Sequence, residues 1–158
     1  SQLWSSTSLQ IIIADFTEVS PPEKNHYKFN LLICNPPYVR HHHLSLKKKQ
    51  SLRELSIKAT GIRLSGLAGL YCYFLLVAHQ WMSQDGLACW LIPSEFMDVN
   101  YGKEVKDYLL NQVTLVRVHR FDPSDLQFDG ALVSTSIIWF KNTKPNQQHC
   151  IDFTAGGS

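Results

Sequence analysis

Apolar residues in this chain fall into short runs divided by polar loops, and the period of the runs alternates. Residues 9–14 (Leu-Gln-Ile-Ile-Ile-Ala) and 29–34 (Phe-Asn-Leu-Leu-Ile-Cys) are aliphatic, rich in β-branched side chains, and short enough to be buried strands. Residues 44–59 carry a weak helical pattern, with Leu52 and Leu55 as inward positions. Residues 67–83 are apolar nearly all round, as expected of a helix packed between a sheet and another layer. Asp85-Gly86 reads as its stop. Residues 87–92 form the next buried strand, ending at Pro93-Ser94, and a helix over 95–111 turns Phe96, Val105, Tyr108 and Leu109 inward.

The last third of the chain reads as strands. Residues 113–119 alternate, with Val113, Leu115, Arg117 and His119 on one side and Thr114, Val116 and Val118 on the other. Residues 133–140 pair with them, giving an antiparallel pair at a sheet edge, and 151–153 read as a short strand leading elsewhere. Strands alternating with helices predict an α/β domain with a mostly parallel sheet.

Composition narrows the class without naming a function. The 158 residues are 44% hydrophobic and 18% charged, enough for one domain with a real core. The net charge of +2 is too small for affinity to nucleic acid unless cations cluster locally. Cys34, Cys72, Cys89 and Cys150 lie far apart with no C-x-x-C pair, which reads as reduced, buried thiols in a cytoplasmic protein. The longest apolar stretch, 67–78, is interrupted by glycine and too short to span a bilayer, which needs about 20 residues. No membrane partner is expected.

The chemistry gathers where the strand over 29–34 meets Asn35-Pro36-Pro37-Tyr38. Two consecutive prolines end a strand, because proline has no N–H to donate and restricts the residue before it. Asn35 and Tyr38 are therefore held on a stiff loop at the carboxyl end of a strand, the edge where open α/β sheets bind ligands. The Asn35 side-chain oxygen and the Pro36 carbonyl are neutral acceptors. Two acceptors around one planar amino group draw its nitrogen lone pair out of conjugation, towards an electrophile. Tyr38 offers a flat face for the base that carries the amino group.

This stretch resembles the (D/N/S)-P-P-(Y/F) motif of amino-methyltransferases that use S-adenosylmethionine. With Val39-Arg40 following, it looks most like the adenine-specific DNA methyltransferases of restriction–modification systems. Two further stretches fit the same family order. Asp15-Phe16, ending the run over 9–14, resembles the (A/G)-D-F motif, in which the acid takes the cofactor's adenine amino group and the aromatic packs on its ring. The same two residues also suit a turn start and a core aromatic. Phe128, followed by Val133-Ser134, Ile137-Ile138 and Phe140, resembles the motif whose leading aromatic closes on the opposite face of a flipped adenine. Phe128 and Tyr38 would then be two walls of one slot, with Phe121 as the rival for the first. Gly69-Leu70-Tyr71-Cys72-Tyr73-Phe74 is similar to the family's N-L-Y-x-x-F helix.

Residues 39–70 are basic: Arg40, Lys47, Lys48, Lys49, Arg53, Lys58 and Arg63 face a single acid, Glu54. Beside an active-site motif such a segment suits phosphate contact, with Arg40, Lys47, Lys48, Lys49 and Arg53 as DNA-backbone candidates. A solvated charged helix is the plainer reading. His41-His42-His43 lack a carboxylate or cysteine at ligand spacing, so no metal is expected. Asp98 and Glu104-Val105-Lys106 mimic a D…E-x-K nuclease pattern but fall on one predicted helix.

The resemblance implies one partial catalytic domain over 1–158, with a basic insertion at about 39–66 and a partial Rossmann-like methyltransferase fold. The glycine-rich cofactor loop that precedes the Asp-Phe motif in the family has no counterpart, since the fourteen residues before Asp15 contain no glycine. In the family's strand order, 3-2-1-4-5-7-6, the first two strands are then missing, and they would separate residues 9–14 from 29–34. The implied function is a fragment of a DNA adenine N6-methyltransferase, inactive alone. Its partners are DNA, the missing N-terminal part of its own domain, and a target-recognition domain. Residues 9–14 are expected either to self-associate with another copy or to shift beside residues 29–34. Two alternatives stay open: methylation of a protein glutamine amide or an RNA amino group, and a non-catalytic fragment that binds DNA or a partner.

Overall fold

The computed structural model describes residues 9–122 and 134–157. Five strands form one sheet: β1 Phe29–Cys34, β2 Met82–Pro93, β3 Thr114–Phe121, β4 Thr135–Lys141 and β5 Asp152–Gly156. Three helices, α1 Leu46–Thr60, α2 Leu70–Val77 and α3 Lys103–Asn111, accompany it. The sheet order is β1-β2-β4-β3-β5. Strand β1 is parallel to β2, β4 is antiparallel to both its neighbours, and β5 is parallel to β3. Four strands thus run one way and β4 alone is reversed, which bears out the mostly parallel α/β sheet. The order β1-β2-β4-β3 reproduces the 4-5-7-6 portion of the expected arrangement. The antiparallel pair is not the edge, because β5 lies outside β3.

The helices cover one face. Leu52, Leu64, Tyr71, Leu75, Leu76, Val105, Tyr108 and Leu109 pack there against Ala88, Trp90, Ile92, Leu115, Val118, Ile138 and Phe140. On the opposite face Leu31, Ile33, Leu87 and Val116 are exposed, Ile33 by 77%. With Trp139 they outline a shallow apolar depression of about 530 Å³.

Several expectations are corrected by how the chain meets itself. Residues 9–13 are not a buried strand: they adopt no regular structure and Ile13 is 97% exposed. They do not take the shifted place beside β1, which pairs with β2 alone among the described residues. A β-run needs a neighbouring strand to receive its backbone groups, and residues 9–13 pair with none among the described residues. The helix expected over 67–83 is α2 followed by a 3-10 turn, Ala78–Trp81, and strand β2 begins at Met82. Asp85-Gly86 is therefore no helix stop. It is a bulge inside β2, where the register jumps from Phe29↔Met82 to Leu31↔Leu87 and Asp85 takes φ 63°. A Cβ on Gly86 would lie 3.0 Å from the Ser83 carbonyl oxygen, so the tight bend suits glycine.

The helix expected over 95–111 splits into two 3-10 turns, Ser94–Met97 and Asn100–Gly102, before α3. In β3 the strict alternation fails at a bulge between Leu115 and Arg117, which puts Val118 on the buried side with Leu115 and leaves Val116 outside. All four cysteines are free, but Cys72 alone is fully buried and Cys150 is exposed.

Candidate active site

Strand β1 delivers Asn35 to the carboxyl edge of the sheet, beside the parallel end of β2 at Pro93. Asn35 is exposed, and its side chain makes no hydrogen bond among the described residues. Pro36 is buried, which anchors the loop. The Tyr38 hydroxyl donates to the Leu91 carbonyl of β2 at 3.0 Å, so the ring is held across the strand end by its far tip. Burial, then the neighbouring Cys34 thiol, pushes the Tyr38 phenol up to about 12, so it stays a neutral donor at physiological pH.

The next two residues set the local frame. Leu70 N–H donates to the Val39 carbonyl at 2.9 Å, so the basic segment leaves and rejoins the sheet at one point. A small cleft of about 40 Å³ opens there, lined by Tyr38, Arg40, Gly69, Tyr71, Pro93 and Glu95. Tyr71 is buried, and that burial drives its phenol well above the ordinary tyrosine range. Glu95 is not among the sequence candidates, and Tyr71 enters there only through the similarity of residues 69–74 to the N-L-Y-x-x-F helix. The signal for Glu95 was its place just after a strand-ending Pro-Ser. For Tyr71 no pattern separates a site residue from a core residue.

The structure places Asp15 differently from Asn35. Asp15 caps the 3-10 turn Phe16–Glu18: its Oδ1 accepts from Thr17 N–H at 2.9 Å and from Thr17 Oγ1 at 2.7 Å. Its Oδ2 accepts from Lys48 Nζ of α1 at 2.9 Å. The bond from Lys48, then those from Thr17, hold the carboxyl down to about 2. Lys48 also donates to Thr17 Oγ1 at 2.9 Å and lies 3.5 Å from Glu18 Oε1, so this cation is engaged within the chain. An ionised carboxylate has about four acceptor positions and three are used, which leaves one on Oδ2 for an amino group.

Phe16 is half-buried, with its ring centre 5.3 Å from Phe74 and 5.5 Å from Trp81. It lines an apolar cavity of about 350 Å³ together with Leu32, Cys34, Phe74, Trp81 and Trp90. Burial pushes the Cys34 thiol up to about 11, so it is no nucleophile at neutral pH. The cavity and the spare acceptor on Asp15 fit an adenine ring with its amino group.

Of the other predicted site residues, Asn35, Pro36 and Tyr38 stand together, and Lys49 and Arg53 share one concave surface on α1. Arg40 and Lys47 are exposed. Phe128 lies outside the described residues. Phe121, its rival, ends β3 with its ring edge-on to His119 at 4.9 Å. Ser94 Oγ donates to Ser134 Oγ at 2.7 Å, tying the end of β2 to the start of β4.

The architecture defines the class. A solved type I restriction-modification methyltransferase subunit from Streptococcus thermophilus superposes with a TM-score of 0.64 at 18% identity, over 90% of this chain and 29% of that one. The chain shares the methyltransferase fold. It belongs to the Eco57I restriction-modification methylase family, whose model matches residues 5–127. It is 38% identical over 115 residues to the type II methyltransferase M.AccI of Acinetobacter calcoaceticus, covering 73% of this chain and 21% of that protein. It is 30% identical over 132 residues to the type II methyltransferase M.XamI of Xanthomonas campestris pv. amaranthicola, covering 83% and 24%. The chain thus spans about a fifth to a quarter of the length of these curated relatives.

Proposed function

We propose that this chain is the target-base part of a DNA adenine N6-methyltransferase, one partial catalytic domain carrying a basic insertion at about 39–66. The carrying observation is Asn35: an exposed, unengaged acceptor at the carboxyl end of β1, next to a tyrosine pinned by its hydroxyl to β2. Asn35 Oδ1 and the Pro36 carbonyl accept the two protons of the base's amino group. That arrangement keeps the nitrogen lone pair out of the ring and aims it along one direction. Tyr38 supports one face of the base, and Phe128 is the candidate for the other. A base inside a duplex is out of reach of such a site, so it must be extruded. Catalysis by these residues is positioning.

The cofactor in this reading is S-adenosylmethionine, which supplies an electrophilic methyl group on a sulfonium. Asp15 takes its adenine amino group through the remaining Oδ2 acceptor position, and Phe16 takes the ring in the apolar cavity beside Cys34. The residues of this chain account for the adenine end of the cofactor. Binding by the chain alone is expected to be weak or absent. DNA, the remainder of the domain and a target-recognition domain are the partners.

Two measurements test this reading. In the longer parent protein, Asn35→Ala should lower methyl transfer to DNA by about two to three orders of magnitude, as loss of one preorganised hydrogen-bond partner does elsewhere. The product nucleoside should be N6-methyladenine. Methyl found on cytosine or on protein glutamine, or full activity after Asn35→Ala, would overturn it.

A further inference from the structure

We propose that the concave face between α1 and the chain returning from it is a seat for a phosphodiester of the DNA backbone, held by Lys49, Arg53 and Arg63. The proposal rests on the DNA reading above and assigns it a specific surface.

The seat is built by a turn and two ties. Helix α1 ends at Gly61, which takes φ 74° and sends the chain back along the helix. Ser56 Oγ bonds the Arg53 carbonyl at 2.9 Å and the Ile62 carbonyl at 3.1 Å, joining helix and return. Gln112 Nε2 donates to the Thr60 carbonyl at 2.8 Å, fixing the helix end to α3. Between helix and return lies a concavity of about 580 Å³, to which Lys49, Arg53, Ile57, Arg63 and Gly66 contribute. Lys49, Arg53 and Ile57 are four residues apart and share one helix face.

Cations outnumber acids in the concavity, with Lys49, Arg53 and Arg63 against Glu54. The ion pairs of the described residues engage Lys48, Arg117, Arg120 and Lys141, and none involves Lys49, Arg53 or Arg63. The single carboxylate there, Glu54, accepts from Gln50 at 3.2 Å. Arg53 Nε is buried and has no hydrogen-bond partner. An unmet donor on a charged group is costly, and a planar guanidinium matches phosphate oxygens. The guanidinium lies close to Gly66, where an added Cβ would come within 2.6 Å of its Nη2 nitrogen. Gly66 therefore sets where the charge sits.

Position selects DNA as the source of the phosphate. The excursion from Arg40 to Gly69 starts directly after Tyr38 and is closed at its base by the Val39–Leu70 bond. In the proposed arrangement a duplex presenting a base to Asn35 runs beside this excursion.

The test is anisotropy titration of this chain with a labelled short duplex of random sequence over a range of sodium chloride concentrations. K49Q, R53Q and R63Q should each lower the slope of log affinity against log salt by about one. G66A keeps every cation but displaces the Arg53 guanidinium, so it should weaken binding. K103Q, on α3, should change nothing. Thermal melting of each variant confirms that it is folded. Equal effects from K103Q and R53Q, an unaffected G66A, or no duplex binding at all would overturn the proposal. Inorganic phosphate that shifts the Arg53 Nε resonance to saturation while duplex does not would assign the seat to free phosphate and also overturn it. Full methyl transfer by Asn35→Ala in the longer parent, with salt-dependent duplex binding through Lys49, Arg53 and Arg63 intact, counts against the methyltransferase reading alone.

Discussion

Asp15 is tuned by its hydrogen-bond partners Lys48 and Thr17, and Tyr38 chiefly by burial. The Asp15 carboxyl is held near 2 first by Lys48. Because its folded value is below the ordinary carboxylate value of about 3.9, its stabilisation is present above about pH 4 and is lost as pH falls through 2. The pair is solvent-exposed, with Asp15 at 43%, so its contribution is below about 1 kcal/mol. In Lys48→Met the Asp15 carboxyl should rise towards its ordinary value, with Thr17 still holding it part-way down, and carbon NMR of the carboxylate reads this directly. Tyr38→Phe keeps the stacking face and removes the bond to Leu91. It should cost about 0.5–1.5 kcal/mol in urea unfolding, whereas Tyr38→Ala should remove both.

At the scale of elements, two glycines carry different constraints. Gly102 joins a 3-10 turn to α3, and a Cβ there would sit 1.8 Å from the Phe96 carbonyl oxygen, so backbone must move. Gly61 meets nothing within 4 Å but holds φ 74°. Gly102→Ala should therefore destabilise by about 1–3 kcal/mol or more through overpacking, and Gly61→Ala by only about 1 kcal/mol through backbone strain. Urea midpoints of the two variants give the ranking. Leu52 is 0% exposed on the inner side of α1, so Leu52→Ala should cost about 2–5 kcal/mol and loosen the basic segment with it.

For the whole molecule, the sheet is unevenly protected. Strand β2 is paired on both sides, by β1 and β4, while residues 9–13 are in no strand and are exposed. Hydrogen exchange should show the amides of 9–13 exchanging at nearly unprotected rates and those of Ala88, Trp90 and Ile138 only with global unfolding. Calorimetric titration with S-adenosylmethionine should give weak or no binding to this chain and clear binding once the parent's upstream region is included. No helix among the described residues is long and apolar enough to cross a membrane.

What the amino-acid order determined by itself is local. Residues 29–34 form the expected strand, because an apolar run ended by Pro36-Pro37 has one way to stop, but it is not the buried strand its composition suggested: Phe29, Leu31 and Ile33 are exposed. Helix α1 starts at Leu46 behind a Ser45 cap and ends at Gly61, close to the residues 44–59 read from the weak apolar pattern. Val105, Tyr108 and Leu109 are buried as their helical spacing required, while Phe96 is buried from the separate 3-10 turn Ser94–Met97. Tertiary structure decided everything that depends on a partner. Residues 9–14 have strand composition but meet no strand, so the same side chains stand in solvent. The Asp85-Gly86 bulge and the slip at Val116 arise from register against neighbouring strands, which no local window contains. The Asp15–Lys48 bond and the seat around Arg53 join residues distant in sequence, or opposed across a returning loop. The placing of α1 beside the turn at Asp15, and the reversal at Gly61, bring them together, because charge partners are chosen by distance in space and not by spacing along the chain.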